Sequence, residues 1–272
     1  MSAHRPDPDH ARAFDRVADA YDRARPSYPR EAVQWLVGSE PAQVLELGAG
    51  TGKLTEVLTA SGHRVTATDP SEQMLRLLRA HVPGAMVALA AAENVPLAAR
   101  SVDAVVAGQS FHWFDHGRAL PEVARVLRPG GVLGAVWNLR DERIPWVRRL
   151  GVIIGPSEQE NDPRRAIDES GLFETVESSS FRFWQPLTRE SLRDLVTSRS
   201  HVATLSDTER GRVLAKVDDL YDDYGRGADG MLLPYLTHAF RARVRPQVEA
   251  DPGTAYADPD DLGTDALLID FH

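Results

Sequence analysis

The sequence predicts an α/β fold in which helices cover both faces of a largely parallel, doubly wound sheet. Two observations support this fold class. Between residues 43 and 138, five short apolar segments alternate with segments of helical periodicity, an order typical of parallel strands buried on both faces. Further along, a strand pattern, two helical patterns and another strand pattern follow one another. This later order predicts an antiparallel last strand preceded by a helical insertion.

The first half of the chain provides the elements of the parallel sheet. Residues 11–24 place apolar side chains at helical spacing, and a second helix begins at Pro29 and ends before Gly38. Ser71 is expected to cap the helix that carries Met74. The other segments, in chain order, are the strand QVLEL (43–47), the helix KLTEVLTAS (53–61), the strands RVTAT (64–68), AMVALA (85–90) and SVDAVVAG (101–108), the helix ALPEVARVLR (119–128), a tight turn (129–131) and the strand VLGAVWN (132–138).

The second half provides the predicted insertion and the end of the sheet. Helices are expected at 145–154 and 163–170, and a strand at 176–184. Thr188 is placed to cap a helix that runs toward His201, and a second helix covers 207–224. The strand MLLPYLTHAFRARVR (231–245) then closes the sheet.

Length and charge predict one domain and a tail. We expect a single domain over 1–245, with a helical N-terminal cover (11–38), a cofactor core (42–138) and a substrate-side insertion (about 188–225). The formal net charge is −9, but 246–272 holds seven acids and no lysine or arginine. The remaining chain is therefore nearly neutral, which argues against a nucleic-acid partner. The acidic tail is expected to be mobile.

Composition excludes several classes of site. The chain has no cysteine, so disulfides, thiolate zinc sites and cysteine nucleophiles are excluded, and no cluster of residues suggests a metal. No apolar run approaches the ~20 residues that cross a bilayer. The N-terminal stretch is charged and proline-containing where a signal peptide would be apolar, so a cytoplasmic location is expected.

The stretch VLELGAGTGKLT (44–55) is a glycine-rich turn between a strand and a helix. The phosphate-binding pattern G-x-x-x-x-G-K-[ST] fails, because Leu47 stands at the first glycine position and Leu54 at the hydroxyl position. The dinucleotide pattern G-x-G-x-x-G fails because Lys53 stands at its third glycine. Asp69 lies 21 residues after Gly48, which suits an acid that binds a ribose. These features predict a nucleoside site that does not hold a phosphate.

The pattern E-x-G-x-G-x-G resembles the first motif of class I S-adenosylmethionine (SAM)-dependent methyltransferases. The resemblance implies SAM as cofactor, with Glu46 near its cationic end and Asp69 on its ribose hydroxyls. Alternatively, Glu46 is a strand-end carboxylate bonded to loop amides, and Asp69 is a helix-capping acid. The cofactor-binding candidates are Glu46, Gly48, Ala49, Gly50, Gly52, Asp69, Met74, Ala92, Glu93 and Gln109.

Further segments extend the resemblance over about 14–245. The segment after the third strand of this family is similar to LAAAENVPL (89–97), and the fourth strand with its exit is similar to VVAGQSFHWF (105–114). The family's helix–turn–strand is similar to EVARVLRPGGVLGAVWN (122–138). FDRVADAYDRARPSYP (14–29) and MLLPYLTHAFRARV (231–244) resemble the methyltransferase type 11 group, in its ubiquinone-biosynthesis-like and trans-aconitate-methyltransferase-like branch. The resemblance implies a Rossmann-like sheet of seven strands, with the last strand antiparallel.

The acceptor side is less defined. His112, after the fourth strand, is either a base or acceptor-binding donor near the methyl group, or a structural histidine that fixes its loop. Tyr21, Arg25 and Tyr28 are candidates to close over the cofactor or bind the acceptor, and Arg25 suits a carboxylate. Trp113 is a candidate acceptor contact, with packing as the alternative.

The function that these features predict is methyl transfer from SAM to a small molecule such as a carboxylate, phenol or quinol. An Asn/Asp-Pro-Pro-aromatic motif, typical of enzymes that methylate nucleic-acid amino groups, does not follow the fourth strand. The alternatives are an NAD(P)-binding oxidoreductase and a non-catalytic SAM-binding module. The sequence specifies neither the acceptor nor the oligomeric state.

Overall fold

The computed structural model describes residues 25–155, 162–198, 202, 205–225 and 230–246 of the chain. Its strands are β1 (Gln43–Leu47), β2 (Arg64–Asp69), β3 (Met86–Leu89), β4 (Val102–Gly108), β5 (Leu127–Arg140), β6 (Glu177–Leu187) and β7 (Met231–Arg243). Its helices are α1 (Arg30–Val37), α2 (Lys53–Ala60), α3 (Glu72–His81), α4 (His116–Val126), α5 (Pro145–Ile154), α6 (Arg164–Ser170), α7 (Arg189–Thr197) and α8 (Asp207–Tyr224).

The strands form one seven-stranded sheet in the order β3-β2-β1-β4-β5-β7-β6. The pairs β1–β2, β2–β3, β1–β4 and β4–β5 are parallel. β7 runs antiparallel to both β5 and β6, which confirms the predicted antiparallel last strand. β2 and β3, which follow β1 in the chain, lie on one side of β1, and β4 lies on its other side. The strand order therefore reverses at β1. In such sheets, ligands bind in the crevice at the carboxyl ends of the strands where this reversal occurs.

Alternating side chains of the central strands build the cores on the two faces of the sheet. Val44 and Leu45 are adjacent in β1 and both fully buried, yet they belong to different hydrophobic clusters. The cluster around Val44 contains apolar residues of α1, α2 and α3, and the cluster around Leu45 contains residues of α4 and α6. Burial on both faces explains why these strands read as continuous apolar runs.

A third cluster lies where the predicted insertion meets the sheet. It joins buried residues of α5, α7 and α8 to the ends of β6 and β7, among them Leu187 and Met231. The Thr188 side chain accepts a hydrogen bond from the Ser191 N–H at the start of α7, and Ser206 does the same for the Glu209 N–H at the start of α8. The predicted cap at Thr188 is therefore confirmed, as is the cap of α3 by Ser71.

Several predicted boundaries around α4, β5 and β6 were wrong, and β6 ends at Leu187 rather than at 184. α4 begins at His116 rather than at 119, because the Asp115 carboxylate accepts the Gly117 N–H and caps the helix there. The helix also ends at Val126, and β5 already begins at Leu127. The predicted turn at 129–131 therefore lies inside β5, as an irregularity between two strand-paired parts.

The register explains that irregularity. Val102 of β4 is opposite Leu127, whereas Ala104 is opposite Val132, so 128–131 bulge out opposite a single β4 residue. The Arg128 guanidinium holds the bulge by donating to Asp103 Oδ1 at 2.6 Å.

Some predictions fall on residues outside the described part of the chain. These are the helix at 11–24 with Tyr21, the end of the helix that was extended toward His201, and the tail after Pro246. Within the described residues, no helix has the length and apolarity needed to cross a membrane.

Candidate active site

The glycine turn joins the end of β1 to the start of α2 in a left-handed backbone. Gly48, Gly50 and Gly52 have φ angles of +65°, +56° and +94°. Side chains larger than hydrogen are strained in this region, so the turn requires glycine at these positions. Gly52 is also the residue that precedes the first turn of α2.

The three glycines have different surroundings. A Cβ on Gly48 would lie 2.7 Å from the Ser110 Cβ, and a Cβ on Gly52 would lie 2.9 Å from Leu78 Cγ. A Cβ on Gly50 would meet nothing within 4 Å. Gly48 and Gly52 therefore allow close packing inside the protein, whereas Gly50 borders open space at the carboxyl edge of the sheet.

Asp69 ends β2 and connects the glycine turn to α3. Its Oδ2 accepts the Gly50 N–H at 2.9 Å and its Oδ1 accepts the Ser71 N–H at 2.8 Å. Asp69 therefore makes the backbone contacts that its alternative role, as an acid that caps the next helix, requires. An ionised carboxylate has about four acceptor positions, so two contacts leave capacity for a ligand's hydroxyls.

Glu46 lies at the bottom of the site in a fully buried position. Its Oε2 accepts a hydrogen bond of 2.6 Å from the Thr55 hydroxyl. The pKa of Glu46 is raised to about 8: burial is the largest cause, the Thr55 hydrogen bond lowers the pKa, and the nearby Asp69 carboxylate raises it. Such a carboxyl group gains from a cationic ligand, which would favour its charged form.

Two adjacent cavities meet at this edge of the sheet. The first, of about 250 Å³, is lined by candidates Arg25, Tyr28, Glu46, Gly48, Ala49, Gly50, Asp69, Met74 and Gln109. The second, of about 350 Å³, is lined by candidates Gly48, Asp69, Ala92, Glu93, Gln109 and Trp113. The structure thus brings most of the predicted site residues together.

Gly52 and His112 line neither of these two cavities. Gly52 packs against Leu78, as described above. His112 lies in the short 3₁₀ turn Phe111–Trp113 and lines a separate cavity with His116 and Asp162. His112 therefore lines a different cavity from the two that carry Glu46 and Asp69.

Trp113 does not pack into the core. It is 79% exposed, and its ring centroid lies 4.6 Å from that of His112. Because Trp113 also lines the second cavity, it is a large apolar surface at the mouth of the cleft.

Sequence reasoning missed Asn138 and Lys53 as lining residues of the first cavity. Asn138 Nδ2 donates to the Ser27 carbonyl at 2.9 Å, and its Oδ1 accepts the Thr237 hydroxyl at 2.7 Å. The available signal was a polar residue at the end of a buried apolar strand. Lys53 is the first residue of α2, and no sequence pattern distinguishes it from a surface lysine.

Two features together define the class I SAM-dependent methyltransferases. One is a doubly wound sheet with an antiparallel last strand. The other is a cleft, at the point where the strand order reverses, that is lined by a glycine turn and a strand-end acid. Within the described residues, no group of three or more histidine or acidic side chains is placed to hold a metal ion.

Comparisons with known proteins agree with this class. A family model described as a methyltransferase domain matches residues 45–135. An uncharacterized methyltransferase of Mycobacterium tuberculosis is 46% identical over 235 residues, 85% of this chain and 96% of the relative. The malonyl-[acyl-carrier protein] O-methyltransferase of Methylococcus capsulatus is 44% identical over 103 residues, 36% of this chain and 38% of its own.

A solved structure agrees as well. That of a candidate type II methyltransferase from Anaeromyxobacter dehalogenans matches with a TM-score of 0.61 and 28% identity, covering 82% of this chain and 99% of that chain. The chain belongs to the class I SAM-dependent methyltransferase family. It is a methyltransferase, and SAM is its cofactor.

Proposed function

We propose that this methyltransferase acts on a small-molecule acceptor and belongs to the ubiquinone-biosynthesis-like and trans-aconitate-methyltransferase-like branch. The observation that carries the first part is the pair of adjacent cavities, of about 250 and 350 Å³, at the carboxyl edge of the sheet. Their sizes suit a nucleoside cofactor together with a small second ligand. The N-terminal and C-terminal sequence segments described above support the branch.

The cofactor roles follow from the placement of the candidate residues. Gly48, Ala49 and Gly50 let the backbone approach the ligand, and Gly52 keeps the turn in shape. Asp69 accepts the ribose hydroxyls with the lone pairs that Gly50 and Ser71 leave unused. The apolar walls come from Met74 on the first cavity and Ala92 on the second.

The charged candidates divide between the two ends of the cofactor. Glu46, at the bottom of the first cavity, faces the cationic end, and Glu93, on the second cavity, flanks the adenine. An ionised Glu46 attracts a cation strongly because its surroundings are dry.

Methyl transfer depends mainly on how the cofactor and the acceptor are positioned relative to each other. The bound cofactor supplies a methyl group that its sulfonium already activates, so a base is required only if the acceptor carries a proton at neutral pH. Arg25 and Tyr28 on the first cavity and Trp113 on the second hold the acceptor and limit the access of water. His112 lies on another cavity and takes no part in the proposed transfer.

The acceptor is a carboxylate, a phenol or quinol, or a similar small nucleophile. Similarity to the Methylococcus malonyl-[acyl-carrier protein] O-methyltransferase supports transfer to oxygen, but it spans only 36% of this chain. The nearly neutral body of the chain supports a small molecule rather than a nucleic acid.

Titration calorimetry tests the site. Asp69→Ala is expected to weaken SAM binding by about 1–3 kcal/mol, the cost of leaving polar groups without their partner. Asp115→Ala is the matched control, because Asp115 also holds a backbone N–H, that of Gly117, but lines neither cavity. Unchanged affinity in Asp69→Ala would show that the ribose lies elsewhere.

Two further measurements test the rest of the proposal. A radiolabelled-methyl screen against carboxylic acids, phenols, quinols and amines should identify the acceptor class, while NAD should not bind. A chain that ends at residue 245 should keep the SAM affinity of the full chain, because we place the methyltransferase domain at 1–245. Loss of folding in that shortened chain would contradict the domain division.

A further inference from the structure

Gln109 has a strained backbone at the point where the two cavities meet. It follows β4 and lines both cavities. Its φ angle is +58°, and Arg100 is the other non-glycine residue with positive φ in the described part of the chain. Such residues cost free energy and persist where their surroundings hold them, often at functional sites.

The surroundings hold Gln109 through backbone contacts. Its N–H donates to the Val136 carbonyl at 2.9 Å, and the next residue, Ser110, donates its hydroxyl to the Leu47 carbonyl at 2.8 Å. The turn is therefore tied to the strands on either side of β4, and the side chain leaves it in a fixed direction.

The orientation of the amide is also fixed. Gln109 Nε2 donates to the Asn138 backbone carbonyl at 3.3 Å. A carbonyl can only accept, so the amide cannot be turned over without placing two acceptors against each other. The carbonyl oxygen Oε1 consequently faces away from Asn138.

Gln109 Oε1 is buried and has no hydrogen-bond partner among the described residues. A buried acceptor without a donor is costly, and most native structures avoid it. Since the residue lines both cavities, the missing donor is expected from a ligand.

The cofactor's own donors have other acceptors on these walls. In the proposed site, Asp69 accepts from the ribose, Glu46 faces the cationic end and Glu93 lies beside the adenine. Gln109 was itself expected to bind the cofactor, but its Oε1 is the neutral acceptor that these roles leave unused. We infer that this oxygen instead accepts a hydrogen bond from the methyl acceptor, whose nucleophile is therefore a hydroxyl or an amine that carries a proton. This inference rests on the proposed function.

Arg25 and Lys53 on the first cavity suit a carboxylate elsewhere on the acceptor, but at Oε1 the same geometry disfavours a carboxylate as the nucleophile. An ionised carboxylate has only lone pairs to present, and these would face the Oε1 lone pairs in a buried place. A phenol, alcohol or neutral amine instead donates to Oε1 and keeps a lone pair for the methyl carbon.

Gln109 is a positioning residue, because an amide oxygen does not take up a proton at neutral pH. A lone pair of the acceptor oxygen or nitrogen forms the new bond to the methyl carbon. The electron pair of the broken carbon–sulfur bond stays on sulfur, which gives S-adenosylhomocysteine. The acceptor's proton leaves to water.

Gln109→Met tests the inference, because methionine has a similar length and no strong acceptor. Gln34→Met is the control, since Gln34 lies exposed on α1. The first measurement is S-adenosylhomocysteine affinity by calorimetry. We expect it to stay within about twofold in both variants, because Oε1 serves the acceptor. A loss of about tenfold or more in Gln109→Met alone would assign Oε1 to the cofactor and overturn the inference.

The second measurement is the binding of 4-methylphenol, 4-methylbenzoate and 4-methylaniline to the wild-type chain saturated with S-adenosylhomocysteine, followed by NMR. The phenol or the amine should bind more tightly than the benzoate. Gln109→Met should weaken that binding about tenfold, in line with one lost hydrogen bond, and should change the binding of the benzoate by less than about twofold, because the benzoate does not donate to Oε1.

Other results of the second measurement would overturn the inference. These are tighter binding of the benzoate, binding of neither proton-bearing probe, or no effect of Gln109→Met. If S-adenosylhomocysteine itself fails to bind the wild-type chain, the proposed cofactor site fails, which is a different outcome from failure at Gln109.

Discussion

Gly50 differs from the other glycines of its turn because its missing side chain faces open space rather than protein. The φ angle of +56° demands glycine, yet a Cβ would meet nothing within 4 Å. If the cofactor lies against this backbone, the restriction to glycine at this position serves binding as well as conformation.

Gly50→Ala should therefore reduce SAM affinity more than it reduces stability. Gly171→Ala is the matched control, because Gly171 has φ +67°, an equally open surrounding and a position at the end of α6. Both variants should lose about 1–2 kcal/mol of stability to the left-handed backbone, and only Gly50→Ala should bind SAM at least about tenfold more weakly. Equal SAM affinities in the two variants would place the cofactor away from the turn.

At the residue scale, the sequence predicted which residues line the two cavities better for the glycine turn and Asp69 than for His112. The glycines and Asp69 were predictable because their spacing along the chain directly sets their placement at strand ends. His112 was not, since a short 3₁₀ turn decides which cavity its ring lines, and no periodic pattern encodes such a turn. The free oxygen of Gln109 depends on a carbonyl 29 residues away, a contact that only the folded sheet creates.

Capping decides where the helices of the insertion begin. At the start of α8, the Ser206 hydroxyl accepts the Glu209 N–H, and Glu209 Oε2 in turn accepts the Ser206 N–H at 3.1 Å. This reciprocal pair satisfies two amides that the first turn would otherwise leave unbonded. α8 packs on α5 and α7, so its first turn contributes to the stability of the third core.

Ser206→Ala should lower the unfolding free energy by about 1 kcal/mol, the usual cost of losing an N-cap side chain. Thr197→Ala is the control, because its hydroxyl bonds back to carbonyls of its own helix and caps no amide. That variant should stay within about 0.5 kcal/mol of wild type. Urea unfolding of both proteins makes the comparison, and equal losses would show that the cap has no special weight.

At the element scale, periodicity predicted every strand of the sheet but misplaced several boundaries around α4, β5 and β6. The start of α4 depends on the Asp115 cap, and Gly117 and Pro121 weaken the helical pattern there. The bulge in β5 was hidden because Pro129, Gly130 and Gly131 have the composition of a turn between elements. The register between β4 and β5 places 128–131 inside the strand. A register depends on two segments together, so the pattern of one segment does not reveal it.

The whole molecule carries a pH dependence that originates in Glu46. Its pKa is about 8 in the folded chain and near the ordinary 4.5 in the unfolded chain. Between these values the folded state binds more protons, so this group makes the unfolding free energy fall as pH rises. Buried His63 acts in the opposite direction, because burial lowers its pKa and its contribution to stability is lost as pH falls below 6.5.

Glu46→Gln separates the two effects, because glutamine removes the acid and leaves His63 in place. We expect the unfolding free energy of the variant to decline less from pH 4.5 to about 8 than that of the wild type. Urea unfolding across this range measures both curves. Parallel curves would mean that Glu46 ionises normally in the folded protein.

The same Glu46 titration should appear in cofactor binding. SAM is a cation and favours the ionised carboxylate, so wild-type affinity should rise with pH toward 8 more steeply than that of Glu46→Gln. Calorimetry in buffers of different ionisation heat should detect a proton released on binding below this pH.

The pairing of Leu187 with Met231 gives the insertion a fixed point of attachment. Cross-strand partners are held about 5 Å apart by the sheet, whatever chain lies between them. A change of length between Thr188 and Gly230 is therefore expected to preserve the register of β6 and β7, provided that the buried side chains of the third cluster are kept. Among the described residues, none of this segment lines either cavity, so a change in its length is expected to leave the cleft at the carboxyl edge of the sheet intact.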